Sequence, residues 1–431
     1  MKRFIPQRIK NIYHLFNAVI ANVRFGFPAK KMKIVGVTGT NGKTTTVEMI
    51  SRILEGSGKK VAMISTIKFK IGNEERINKT KYTTLASWHV QKFLREAVRE
   101  KCEVCILEVS SHSLDQNRIW GILFDIVVIT NITREHLDYH FSMDRYRKAK
   151  KTLFTKLKET GTAIINLDMK KPEDFLRVPA SQIFGYTTSR NKINAYSAGN
   201  IHVVYANVFE AGISRSRFKI NGEQITLRLS GKFNIENALA GVCVGKAFNI
   251  PISSIKHSLE AIALVPGRME RVNNDLGIDL IIDYALTPDS LKKVGKLIKE
   301  LKKDDPSRKL IWVFGSCGER DKGKRPIMGG IVSSVSDIVI VTNEDPYNED
   351  PQQIVDQVFS GVIGKYKKEN ESAFRVLDRR EAIKKALTMA QKGDIVLITG
   401  KGAEETMALG SKQISWNDKK VIREILMEIG G

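Results

Sequence analysis

The stretch Gly36-Val37-Thr38-Gly39-Thr40-Asn41-Gly42-Lys43-Thr44-Thr45-Thr46 decides the fold. The apolar pair Ile34-Val35 leads into it, and Val47, Ile50 and Ile53 follow at helical spacing, so it reads as a glycine-rich turn between a strand and a helix. Backbone N–H groups of such a turn cradle phosphate oxygens, and the N-terminus of the following helix favours an anion. Lys43 can reach the β- and γ-phosphates, and the Thr44 hydroxyl can ligate Mg²⁺. The strict P-loop pattern wants a glycine where this chain has Val37; with glycines at 36 and 39 the loop is a variant. The alternative is a plain glycine turn, and the strand–loop–helix context favours the phosphate site.

Around the loop, residues 34–150 alternate strand-like runs with helical patterns, as at Ile34–Val37, Val104–Val109 and Ile126–Thr130. That alternation predicts a parallel α/β sheet. Residues 195–230 change character: Ile201–Ala206 and Gln224–Leu229 alternate like strands, and Asn221-Gly222 is a good hairpin turn, so a small antiparallel insertion is expected. Residues 234–264 return to helix, with Pro251 near a helix start. A second α/β pattern begins near Pro266, with strands at Leu280–Ile282, Leu310–Phe314, Ile338–Val341 and Ile395–Thr399. The expected fold class is α/β: a P-loop-type central domain with a mainly parallel sheet over 34–265, and a C-terminal Rossmann-like α/β domain over 266–431.

Residues 1–33 form a basic helical leader. Ile9, Ile12, Tyr13, Phe16, Ile20 and Val23 recur at helical spacing, with Lys2, Arg3, Arg8 and Lys10 around its start. Two readings stand: a helix packed on the body of the protein, or a helix lying on a membrane surface, a peripheral contact at its inner face. The apolar part of the leader, Leu15 to Val23, is broken by Asn17 and Asn22 and lacks a clear cleavage site. With no apolar run long enough to span a bilayer, the expected compartment is the cytoplasm. The formal charge of +23 is spread along the chain, as in Leu291 to Lys303, which suits a solvated basic surface rather than a specific nucleic-acid partner. Cys102 and Cys105 have CxxC spacing, but they sit at an apolar run and no second CxxC completes a zinc site.

Several further blocks carry a resemblance. They are Glu108-Val109-Ser110-Ser111-His112-Ser113-Leu114-Asp115-Gln116-Asn117-Arg118 and Thr130-Asn131-Ile132-Thr133-Arg134-Glu135-His136-Leu137-Asp138-Tyr139-His140. Tyr146 to Phe154, Leu229 to Ala240, Pro266 to Val272, Asp283 to Ser290, Val313 to Met328 and Gly400-Lys401-Gly402-Ala403-Glu404 follow. In content and order they resemble the Mur ligase family, and within it the UDP-N-acetylmuramoyl-tripeptide synthetases, over about residues 34–425. The loop is also similar to that of folylpolyglutamate synthases, but the later blocks argue against that branch.

The resemblance implies an ATP-dependent ligase of peptidoglycan biosynthesis. It would join an amino acid to a muramoyl-peptide precursor through an acyl phosphate, working as a monomer. Gly39, Thr40, Asn41, Gly42, Lys43, Thr44, Thr45, Asn237, Arg268 and Asp283 would hold ATP. Thr44, Glu108, His136 and Lys150 would hold Mg²⁺, with Lys150 carbamylated by CO₂ to become an anionic ligand; Lys43, Glu108, His136 and Lys150 form the expected catalytic set. Thr83, Thr84, Ser110, Gln116 and Arg118 would bind the precursor, and Arg320, Glu344, Asp345 and Glu404 the incoming amino acid. Holding the nucleotide from both domains implies closure of one on the other.

This chain departs from the family in three places. The loop begins at residue 36, whereas the family carries a UDP-binding domain ahead of it, so the acceptor is expected to be held by its sugar-peptide end or with a partner's help. Tyr347 stands where an arginine pairs with the distal carboxylate of diaminopimelate, which disfavours that amino acid and favours lysine or another amine. Leu286 and Ala403 replace two histidines near the site. Rival readings are a related ligase acting on a lipid-linked or other cell-wall precursor, and a non-catalytic nucleotide-binding partner.

Overall fold

The computed structural model describes residues 7–430 apart from 81, 198, 213, 304, 365 and 366. Lys2 and Arg3 of the leader lie outside the described residues, as does the side chain of Arg8. The chain divides into two units. The first runs to Thr133 and includes Ser142–Ala211 and Arg215–Ala263; the second holds Arg134–Phe141, Gly212–Ser214 and the chain from Leu264 onward.

In the first unit, the described strands β1 (Lys33–Thr38), β2 (Val61–Ile64), β3 (Lys68–Ile71), β4 (Glu74–Ile77), β5 (Val104–Glu108), β6 (Phe124–Ile129), β7 (Leu157–Asn166), β8 (Gln182–Thr187) and β9 (Ile201–Tyr205) form one sheet. Its order is β4-β3-β2-β5-β1-β6-β7-β8-β9, and only the pairs β2–β3 and β3–β4 are antiparallel. The central strands are apolar nearly without interruption because both faces are covered; β5 is buried along its length. Strand β1 lies between β5 and β6, and its register sets Val37 beside Glu108 and Thr38 beside Ile129. The turn after β1 therefore opens at the carboxyl ends of three parallel strands, where ligand sites of open α/β sheets form. The helix that follows, Lys43–Gly56, packs against the helix Lys232–Ala247, and this second helix carries Asn237 to the loop.

Strands β10 (Asn207–Ala211), β11 (Ser216–Ile220) and β12 (Glu223–Leu227) make a separate antiparallel sheet. Asn221 and Gly222 join β11 to β12 with φ of 49° and 87°, the left-handed pair that a tight hairpin requires. The expectation for Ile201–Ala206 needs correction. That run does not belong to the antiparallel insertion; it is β9, which extends the large sheet in parallel beside β8. Alternating polarity marks a strand half in contact with solvent, and an edge strand of a parallel sheet carries the same pattern as a hairpin strand.

In the second unit, β13 (Glu270–Val272), β14 (Asp279–Asp283), β15 (Leu310–Phe314), β16 (Ile338–Val341), β17 (Ala373–Arg375) and β18 (Ile395–Thr399) form a sheet of order β13-β14-β18-β15-β16-β17. All pairs but β13–β14 are parallel, so Asp283, Phe314, Val341 and Thr399 end at one edge. A hairpin of β19 (Thr406–Leu409) and β20 (Lys412–Ser415) follows.

The leader is a helix, Gln7–Phe25, packed against the helix Ser87–Arg99. It packs by the face opposite to its apolar stripe. Ala18, Ala21 and Asn22 are buried, whereas Ile9, Ile12, Tyr13, Phe16, Ile20 and Val23 are all exposed. Polar anchors hold that orientation: Asn22 Nδ2 donates to the Trp120 carbonyl at 2.8 Å, and Asn11 Nδ2 to Asp115 at 3.0 Å.

Candidate active site

The glycine loop is held in a shape that only glycine takes easily. Gly39 and Gly42 have φ of +153° and +82°. A Cβ on Gly42 would stand 2.3 Å from Asn237 Oδ1, and one on Gly39 would stand 1.9 Å from Thr130 Oγ1. The turn is pinned from the side. Thr40 N–H donates to the Asn131 carbonyl (2.8 Å), Asn41 N–H to Asn131 Oδ1 (2.9 Å), and Thr130 Oγ1 to the Asn41 carbonyl (2.7 Å). Lys43 and the buried Thr44 and Thr45 open the helix. Lys43 Nζ donates back to the Thr40 carbonyl at 2.9 Å, which keeps its charge over the loop. Thr46 Oγ1 donates to Asn237 Oδ1 at 3.3 Å, so Asn237 borders the loop.

Glu108, at the end of β5, is buried and heavily bonded. Its carboxylate accepts from Thr44 Oγ1 (3.1 Å), Thr66 N–H (2.8 Å) and Thr66 Oγ1 (2.9 Å). Thr66 was not singled out from the sequence, although a hydroxyl just past β2, next to the loop strands, is a usable signal. Paired hard oxygen donors, a hydroxyl and a carboxylate, fit a hard divalent cation such as Mg²⁺. Among the described residues, no three His, Cys, Asp or Glu side chains gather into a metal cluster.

Lys150 is 1% exposed and projects from the helix Met143–Lys151 to the loop, where its Nζ donates to the Gly39 carbonyl at 2.7 Å. Its Nζ lies 4.7 Å from the centre of the Tyr146 ring, and the Tyr146 hydroxyl is 3.1 Å from Thr40 Oγ1. Burial holds the Lys150 ammonium well below the usual lysine range; the positive charge of Lys43 adds to this and Glu108 opposes it. Tyr146 is a second residue that the sequence did not single out by itself.

The expected precursor-binding residues lie beside Glu108. Thr84 Oγ1 donates to the Glu108 carbonyl (2.9 Å) and accepts from Ser110 N–H (3.0 Å); Thr83 Oγ1 is 3.2 Å from Thr66 Oγ1. Arg118 donates to the Thr84 carbonyl (3.0 Å) and to Gln116 Oε1 (2.8 Å). Thr84, Ser110, Arg118 and Gln116 therefore form one bonded group leading away from Glu108, and Thr83 joins Glu108 separately through Thr66.

His136, Arg268, Asp283, Arg320, Glu344, Asp345 and Glu404 belong to the second unit. His136 has φ of 56° and starts the turn Leu137–His140. Asp283 ends β14 and accepts from the N–H groups of Met269 and Ala285, each at 2.8 Å. Burial pushes its carboxyl up, against the pull of Arg268. The Arg268 guanidinium stacks 4.3 Å from the Tyr284 ring centre, and the Tyr284 hydroxyl donates to Glu404 at 2.8 Å. Lys401, fully buried, bridges Asp345 (2.9 Å) and Glu404. Asp345 also accepts from Ala408 N–H at 2.7 Å. Cys317 Sγ donates to Glu344 at 2.9 Å, and burial pushes both that thiol and that carboxyl up. Arg320 lies 5.7 Å from the Tyr347 ring centre. A buried pair, Lys324 and Glu135 at 2.9 Å, ties the segment Arg134–Phe141 into this unit, and Lys324 also donates to the Leu286 carbonyl at 3.1 Å. Lys401, Cys317 and Lys324 were not among the expected site residues. Each is fixed by partners distant in sequence.

A parallel α/β unit with a glycine loop at its strand ends, joined to a second α/β unit, has the architecture of the nucleotide-binding α/β class. Residues 37–245 match the Mur ligase middle domain, and residues 267–402 match the Mur ligase glutamate ligase domain. The chain belongs to the Mur ligase family. It is 38% identical over 414 residues to the UDP-N-acetylmuramoyl-L-alanyl-D-glutamate–2,6-diaminopimelate ligase of Clostridium botulinum, which covers 96% of this chain and 81% of that one. A solved structure of a ligase of that name is similar with a TM-score of 0.59 and 29% identity, over 93% of this chain and 79% of the other. A folylpolyglutamate synthase from Mycobacterium tuberculosis, complexed with ADP and AMPPCP, shares the fold with a TM-score of 0.67 and 16% identity, over 90% of this chain and 92% of that one.

Proposed function

We propose that this chain uses ATP to join an amino acid to a muramoyl-peptide cell-wall precursor, in the cytoplasm and as a monomer. The observation that carries this reading is the cluster of Lys43, Thr44, Glu108 and Lys150 around one glycine loop. The γ-phosphoryl group passes from ATP to a carboxylate of the precursor, giving an acyl phosphate and ADP. An uncharged amine then attacks the acyl carbon, inorganic phosphate leaves, and the amine gives up its proton. The loop N–H groups and Lys43 hold the phosphates and meet the charge that develops during transfer. Thr44 and Glu108, with His136, would hold Mg²⁺, which supplies charge neutralisation at the phosphates when bound. Asn237, Arg268 and Asp283 are assigned to the nucleotide, and Thr83, Thr84, Ser110, Gln116 and Arg118 to the precursor.

Lys150 is assigned the role of a carbamate. Its neutral amine adds to CO₂, forming an N–C bond and releasing a proton, and the product is an anion. Only a neutral amine can do this, and burial shifts Lys150 in that direction by lowering its basicity. For the incoming amino acid we assign Arg320, Glu344, Asp345 and Glu404. The relatives are named for diaminopimelate. Tyr347, neutral and lying beside Arg320, favours an amine without a distal carboxylate, lysine first.

The test is amine-dependent phosphate release with ATP, Mg²⁺, bicarbonate and a muramoyl-dipeptide acceptor, offered with and without its UDP. Release that needs both the acceptor and one amine supports the reading. ATP binding without release for any pair would leave the non-catalytic nucleotide-binding alternative.

A further inference from the structure

The leader helix inverts the usual arrangement of an amphipathic helix. Ile9, Ile12, Tyr13, Phe16, Ile20 and Val23 fall within an arc of about 100°, counting 3.6 residues per turn. Such a stripe normally faces the core, yet Ile12 is 68% exposed, Tyr13 66% and Phe16 63%. The helix instead meets the protein through Ala18, Ala21 and Asn22, and the Asn11 and Asn22 bonds lock that choice. Exposed large residues scattered singly are ordinary on a protein surface, but a continuous stripe along a helix marks an interaction face.

Charge identifies the occupant. Residues 1–33 hold eight basic residues and no acid; the first acidic residue in the chain is Glu48. Arg24, Lys30 and Lys31 are exposed and Lys10 is half-buried, and all four belong to the helix or to the turn just beyond it. Trp88, 45% exposed, stands against Phe25 at the end of the helix, with ring centres 4.9 Å apart. An apolar stripe with basic residues beside it and an indole at one end matches an interfacial helix on an acidic lipid surface. A second copy of the chain would set one acid-free basic segment against another, which like-charge repulsion opposes. No helix among the described residues is long and apolar enough to cross a membrane, so the contact lies in the plane of the interface.

We propose that the helix Gln7–Phe25 docks this protein on an anionic phospholipid bilayer through its exposed apolar stripe. The test is co-sedimentation of the full chain with vesicles of phosphatidylglycerol and phosphatidylcholine, and with vesicles of phosphatidylcholine alone. The protein is expected to sediment with the anionic vesicles, weakly with the neutral ones, and less as salt is raised. Combining Ile12→Glu with Phe16→Glu is expected to lower the bound fraction about ten-fold, with thermal melting unchanged because both positions are exposed. Lys30→Glu with Lys31→Glu is expected to weaken binding to the anionic vesicles while leaving the residual binding to neutral ones. Failure to sediment with anionic vesicles overturns the proposal, as does equal binding by the Ile12/Phe16 variant. A lipid-independent dimer that this variant dissociates would also overturn it, by showing that the stripe closes on a second copy.

Discussion

Two lysines meet at the glycine loop, and the proposed reaction asks opposite charge states of them. Lys43 is needed as a cation over the phosphates, and Lys43→Ala is expected to lower ATP-dependent phosphate release by about 100-fold or more, measured in the assay above. In the proposed carbamate role, Lys150 reacts as a neutral amine. Because its pKa is lowered in the folded state, protonation favours the unfolded chain. Stability contributed at this position is therefore present above the ordinary lysine pKa and falls as pH drops toward the lowered one. Lys150→Met is expected to flatten that alkaline slope, read by denaturant unfolding at a series of pH values, while phosphate release falls about 100-fold. With ¹³C-bicarbonate, a carbamate resonance is expected in the parent, weakening as pH falls through the lowered pKa and missing in Lys150→Met; an unchanged spectrum in the variant would remove the carbamate from the reading. At this scale much was legible, since Lys43, Thr44 and Glu108 sit at marked points of a strand–loop–helix pattern. Thr66 and Tyr146 were not, because each acts only through a contact made by folding.

The elements differ in how firmly the sequence dictates them. Strands β15, β16 and β18 read directly as apolar runs, since a strand covered on both faces has no polar alternation to confuse its ends. β9 was misread because alternation reports one wet face and says nothing of the neighbour. The leader helix shows the same limit: its period predicted a helix, but polar anchors at Asn11 and Asn22 chose which face turned inward. The turn after β1 depends on Gly42. Gly42→Ala would put a side chain in left-handed backbone, at about 1–3 kcal/mol, and against Asn237. Weaker nucleotide binding is the expected outcome, measured by calorimetric titration with ADP. In the second unit, buried Arg379 links three pieces: it pairs with Asp418 at 2.7 Å and donates to the carbonyls of Thr399 (3.0 Å) and Asn343 (3.4 Å). Arg379→Met leaves Asp418 buried with its charge unpaired, and a loss of about 3–5 kcal/mol is expected in denaturant unfolding.

For the whole molecule, the open question is the choice of amine. Tyr347→Arg would restore a planar donor pair suited to a carboxylate. It is expected to raise the use of diaminopimelate relative to lysine by about ten-fold, compared as kcat/KM for the two amines. If the ratio does not move, this position does not select the amine. The basic surface has a simpler account: on the helix Pro288–Lys302, Leu291, Val294, Leu297 and Ile298 are buried, while Lys292, Lys296 and Lys299 face solvent.

The sequence by itself determined the α/β class, the glycine turn between strand and helix, and the family, because these rest on local order: strand, glycine turn and helix, and distinct blocks in a set succession. Only the tertiary structure decided which strand β9 would join and what holds Glu108. It also decided how Lys401 is neutralised and which face of the leader helix meets solvent. Each of these depends on partners brought from far along the chain, and a side chain's burial and charge state follow from those partners rather than from its neighbours in sequence.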